Sequence, residues 1–149
     1  MPRLKKGGSA AQNSRAKGIR GELEIAALLR NRGIPARRSQ QHKGTADSAD
    51  VEDDPEGIGD HEFWNQFHLE VKFYKVWSLH TASHGGKWLG KARSECGSKT
   101  PVVLHRSNGS KVWWAMVAPQ HTRTYYILPF PEFIKLYQEG HYKNGRVTI

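Results

Sequence analysis

Between positions 67 and 73 the chain reads Phe-His-Leu-Glu-Val-Lys-Phe. On an extended strand the side chains alternate, so Phe67, Leu69, Val71 and Phe73 take one face while His68, Glu70 and Lys72 project from the other. A carboxylate and an ammonium then point the same way from an otherwise apolar strand. Taken alone, Glu70-x-Lys72 also describes a half-buried strand whose solvated face carries an ion pair. Two further acids precede it. Asp50 lies in the strand-like segment Ala49-Asp50-Val51, and Glu22 lies in a helical stretch. Mg²⁺ takes oxygen ligands and is typically held by one or two carboxylates with several waters left in place. Carboxylates beside a lysine therefore match what phosphodiester hydrolysis needs: charge neutralised on the phosphate, a bound water made more acidic, and a cation to orient or deprotonate that water.

These groups must be positioned by regular elements. From Arg15 to Arg32 the spacing predicts a helix, with Ile19, Leu23, Ala26, Ala27 and Arg30 on one stripe, Ile25, Leu28 and Leu29 broadening it, and Gly33 ending it. Glu22 falls beside that inward stripe, whereas Glu24 is expected to point to solvent. Ile34 to Ser39 reads as a short strand, and Arg37-Arg38 leads into a polar, phosphate-facing loop from Ser39 to Thr45. An acidic, turn-rich connection follows Val51 and runs to about Asp60, facing away from any polyanion. After the Glu70 strand, Trp88, Leu89, Ala92 and Cys96 have weaker helical spacing, and Gly85-Gly86 marks a break or a helix start. Asn108-Gly109 between two apolar runs predicts a hairpin, because Asn-Gly supplies positive φ for a tight turn. A last strand near Thr124–Leu128 and a helix through Phe133, Ile134 and Tyr137, stopping at Gly140, complete the chain. The expected architecture is an α/β fold, a central mixed sheet of about five strands flanked by helices, with the Glu70 strand central.

Composition narrows the partners. The chain has 149 residues, a single-domain length, and carries 23 Lys and Arg against 14 Asp and Glu, a formal charge of +9. With five residues each of Trp, Tyr and Phe, this is a basic protein able to bury a core, and a polyanion is its natural partner, nucleic acid before an anionic membrane surface. Residues 1–14 read as a flexible basic arm and 15–149 as one domain. The N-terminus lacks the apolar core of a signal peptide, so a soluble, cytoplasmic protein is expected. The single cysteine, Cys96, excludes an internal disulfide and a Cys-rich zinc site. His80 and His84 stand at i, i+4, but with no third ligand nearby.

The ordered set Lys17-Gly18-Ile19-Arg20-Gly21-Glu22, Arg37-Arg38-Ser39, Ala49-Asp50-Val51 and Leu69-Glu70-Val71-Lys72 resembles the PD-(D/E)xK nuclease superfamily. Within it, the chain is most similar to archaeal-type Holliday junction resolvases and their phage-encoded relatives, over roughly residues 15–118. The resemblance implies a restriction-endonuclease-like core and a catalytic set of Glu22, Asp50, Glu70 and Lys72. It implies that Asp50, Glu70, Val71 and Glu22 hold Mg²⁺, with Mn²⁺ as a substitute. Ser39 corresponds loosely to a loop serine of the family, and Ala49 stands where the family has proline. Lys17, Arg20, Arg37, Arg38, Ser39 and Lys43 are the expected DNA contacts. The implied substrate is a four-way DNA junction, cut by paired nicks from a homodimer, whereas a restriction-like enzyme or a non-catalytic basic DNA-binding module would share much of this pattern. Trp113 or Trp114, Phe130, Phe133 and Tyr137 are candidates either for the dimer interface or for the monomer's own core.

Overall fold

The computed structural model describes residues 10–40, 49–143 and 146–147. Helix α1 spans Ala10–Asn31 and ends where Gly33 adopts a φ of +79°, the left-handed conformation that glycine takes at low cost. It begins before Arg15, so residues 10–14 belong to the helix rather than to a basic arm; residues 1–9 lie outside the described residues. The buried stripe is also rotated from the expected one. It runs through Gly21, Ile25, Ala26 and Leu29, while Leu23 is 53% exposed. The close approach of Gly21 to the sheet explains the rotation: a Cβ there would lie 3.2 Å from Phe73 Cβ and 3.2 Å from the Trp113 ring, so this glycine face lets the helix settle on the strands.

Strands β1 (Arg37–Arg38), β2 (Val51–Glu52), β3 (Phe67–Tyr74), β4 (Thr100–Ser107), β5 (Trp114–Val117) and β6 (Tyr126–Pro129) form one sheet in chain order. The sheet has six strands rather than five. The extra one is β6, which pairs with β5 instead of standing apart. Only β3 and β4 run parallel, and the other neighbours are antiparallel. A parallel pair needs a crossover. Here it is a π-helical turn at Ala82–Gly86 leading into helix α2 (Lys87–Glu95); a one-turn helix at Phe63–Gln66 precedes β3, and helix α3 (Phe130–Gln138) follows β6. The expected hairpin is present between β4 and β5, but its loop runs from Asn108 to Trp113, with Gly109 at φ +79°. A small hairpin of β7 (Tyr142–Lys143) and β8 (Arg146–Val147) was not foreseen from the sequence.

The alternation in β3 sorts the interior. Phe67, Leu69 and Val71 join Val102, Leu104, Ala115 and Val117 in a core with Ile25 and Leu29 of α1 and Phe133 and Ile134 of α3. The opposite face has a smaller cluster of Leu79, Leu89, Ala92, Val103, Met116 and Ala118 under α2. Trp113, Phe130 and Phe133 are buried and Tyr137 is half-buried, donating a 2.5 Å hydrogen bond to Asp60. Of the two alternatives for the aromatic residues, closing the monomer's core is therefore the one observed for these four; Trp114 is half-buried and packs on the smaller cluster.

Candidate active site

Asp50 stands immediately before β2, and main-chain bonds extend the ladder through it: its N–H donates to Leu69 O and its carbonyl accepts from Ser39 N, both at 3.0 Å. Its carboxylate turns toward β3, where Oδ2 accepts the Val71 N–H at 2.8 Å. That bond sets Asp50 against the strand midway between Glu70 and Lys72. Val71, assigned to the metal set by resemblance, thus enters the site through an amide that anchors a carboxylate.

Glu70 and His68 share the expected face, but that face is not solvated. Glu70 is 1% exposed and His68 4%. Their side chains lie under α2, whose last residue is Glu95. One ligand atom from each of His68, Glu70 and Glu95 lies within 4.8 Å of the others. Glu70 Oε1 is 3.1 Å from His68 Nε2, whereas Glu70 Oε2 is buried with no hydrogen-bond donor among the described residues. Burial first, then the charge of Asp50, then contact with the carboxyls of Asp50 and Glu95 push the Glu70 pKa far above the usual carboxylate range; Lys91 acts weakly in the opposite direction. A carboxyl oxygen enclosed by other carboxyls can be satisfied by a shared proton or by a cation. The three donors could thus hold a metal ion.

Glu22 reaches the same region from α1. Arg38 Nε donates to its Oε2 at 2.6 Å, and the charges of Asp50 and Lys72 are both felt there. Burial raises the Glu22 pKa, and the Arg38 guanidinium offsets part of that rise. Glu24 does not point to solvent as expected: its Oε1 accepts 2.5 Å and 3.2 Å bonds from Arg106 and Trp113, fastening α1 to β4 and to the end of the β4–β5 loop. The main chain at Lys72 is held from β4. His105, fully buried, bonds Lys72 O through Nδ1 at 2.9 Å and accepts Ser78 N–H at Nε2, so it is the Nδ1–H tautomer; burial lowers its pKa and keeps it neutral.

The expected DNA contacts divide into groups. Arg38 and Ser39 adjoin the acidic set. Arg37 is committed to Glu52 through two bonds of 3.0 and 2.9 Å, which makes it a clasp between β1 and β2 rather than a free phosphate ligand. Lys17 and Arg20 lie over the Phe73 ring at 5.3 and 4.9 Å, joined at 4.7 Å by Arg106, which sequence reasoning did not single out. Lys43 lies outside the described residues. The acidic connection spends part of its charge internally, through Arg37–Glu52, His61–Asp53 and Tyr137–Asp60.

Glu95, His68 as a buried neighbour and His105 were missed as site residues. For His68 the signal was present, since it shares the Glu70 face. Glu95 had only its place near the end of the weakly periodic helix. Compared with protein-family models and with curated proteins, the chain matches none.

Proposed function

We propose that the protein is a Mg²⁺-dependent DNA endonuclease, selective for branched structures and acting on four-way junctions by paired nicks. The observation that carries this reading is the Asp50 carboxylate, fixed by the Val71 amide beside the buried Glu70 and one residue from Lys72. Asp50 and Glu70 would hold the cation, with Mn²⁺ as a substitute. When bound, it neutralises phosphate charge and acidifies a water. Lys72, its main chain fixed by His105, orients that water or takes its proton. The water oxygen attacks phosphorus as one P–O ester bond breaks, leaving a phosphate monoester and a hydroxyl. Glu22 acts from the rim, and its hydrogen bond to Arg38 ties the site to a cation suited to the neighbouring phosphate.

The formal charge of +9 supports a polyanionic substrate, and Arg38, Lys17 and Arg20 supply backbone contacts rather than base readout. The resemblance to junction resolvases supports the branched substrate. Two nicks of like polarity call for two sites, so a symmetric dimer is part of the proposal. Its interface has to use residues other than the buried Trp113, Phe130 and Phe133; Leu23, Val76, Trp77 and Val112 are exposed apolar candidates.

The test is cleavage of four-way, flap, duplex and single-stranded DNA in Mg²⁺, with and without chelator, alongside light scattering of the free and junction-bound protein. Paired nicking of the junction by a dimer is the expected result. Sequence-dependent duplex cleavage would replace the reading with a restriction-like enzyme. No cleavage of any DNA in Mg²⁺ or Mn²⁺ would leave a basic DNA-binding module.

A further inference from the structure

We propose that His68, Glu70 and Glu95 form a separate binding position for a divalent first-row transition-metal ion, next to the one that Asp50 supplies. Two of the ligands come from alternate positions of β3, and the third from the end of the crossover helix α2 that returns over the same face. Donors held about 2.0–2.2 Å from a common ion stand roughly 3–4 Å apart, so three ligand atoms already within 4.8 Å of one another need little adjustment.

The independent observation is Glu70 Oε2. The Glu70 side chain is 1% exposed, Oε1 faces His68 Nε2, and Oε2 has no hydrogen-bond donor among the described residues. It is a buried acceptor on a carboxyl group whose neighbours include the carboxyls of Asp50 and Glu95, which offer no donor of their own when ionised. An ion there converts that orphaned oxygen into a ligand.

The imidazole determines the kind of metal. An all-oxygen set suits Mg²⁺, Ca²⁺ or Mn²⁺, whereas an imidazole among carboxylates shifts preference toward Fe²⁺ or Zn²⁺, with Mn²⁺, a first-row ion that carboxylates also hold, as the spectroscopic probe. Glu95 is half-buried and gives the ion a way in, while Lys91, one turn earlier on α2, places an opposing charge that moderates affinity. The proposal concerns metal binding alone and does not depend on DNA cleavage, so either can fail without the other.

Pulsed electron paramagnetic resonance of the full chain with Mn²⁺ tests it. The expected spectrum has ¹⁴N coupling from one imidazole in the parent and in Asp50→Asn, and none in His68→Gln. Glu95→Gln, at a half-exposed position with little risk to folding, should weaken Mn²⁺ binding measured by calorimetry by more than about tenfold, the loss that even an outer-shell partner can cause, and affect Mg²⁺ much less. The proposal is overturned by absence of nitrogen coupling in the folded parent, by coupling that survives in His68→Gln, or by equal loss in Asp50→Asn, which would mean one shared centre. Failure to cleave DNA with the coupling present would count against the nuclease reading alone.

Discussion

The two faces of the sheet differ in what they bury. Under α1 and α3 the strands present Phe67, Leu69, Val71, Val102 and Leu104 to a continuous apolar core in which Phe63, Phe67, Phe133, Tyr137 and Tyr142 meet mostly edge to face, at centroid distances from 5.0 to 6.3 Å. Under α2 the apolar cluster is smaller, and the same strands bury His68, Glu70 and His105. Burying apolar area stabilises the fold, whereas burying a carboxyl among carboxyls costs stability unless a proton or cation accompanies it. One face therefore supports the molecule, and the other holds a destabilising arrangement of the kind expected at a functional site.

The sharpest way to break this comparison is to neutralise the acids on the α2 face. Asp50→Asn or Glu70→Gln should reduce Mg²⁺-dependent cleavage by about 1,000-fold or more, equivalent to about 4 kcal/mol of transition-state stabilisation, and leave folding and DNA binding intact. Cleavage at the parental rate by either variant would remove the assignment at its centre. Lys72→Ala should reduce the rate by roughly 100-fold or more, the scale of a positioned proton-transfer group, with calorimetric Mg²⁺ affinity retained. A parallel loss of metal binding would make Lys72 structural instead.

On the other face the expected pattern reverses. Phe133→Ala, at a fully buried site, should cost about 3–5 kcal/mol in urea unfolding, with cleavage per folded molecule unchanged. A pH titration sharpens the contrast further. Because the folded Glu70 pKa is raised, the folded metal-free chain binds a proton that the unfolded chain has released. Stability from this group is complete below the ordinary glutamate pKa and declines as pH rises through neutrality toward the raised value. Thermal unfolding of parent and Glu70→Gln should therefore converge below the ordinary glutamate pKa and separate progressively as pH rises from there toward the raised value, the variant being the more stable; no difference would mean that Glu70 is not strained. The smallest effect is expected at Glu24→Ala, about 1–2 kcal/mol from the lost Arg106 and Trp113 bonds, with cleavage unaltered, in contrast to Glu22 two residues earlier.

How much of this was legible varies by element, and the reason is range. The face shared by His68, Glu70 and Lys72 followed from strand alternation, and the end of α1 at Gly33 and the end of α3 near Gly140, both at positive φ, followed from backbone sterics. These features depend on a residue and its immediate neighbours, so the sequence by itself determined them, along with the order in which Glu22, Asp50 and Glu70-Lys72 arrive. Tertiary structure decided the rest. Glu24 finds Arg106 across 82 positions, and Arg37 finds Glu52 across 15 through the β1–β2 pairing. Whether the polar face of β3 met water or a helix depended on where the crossover carried α2. Because it returned over that face, Glu95 was set against Glu70, and a surface ion-pair pattern became a buried group of donors that could hold a metal ion. No local period encodes that outcome, since it depends on the closure of a parallel strand pair whose partners, Glu70 and Val103, are brought together by the fold.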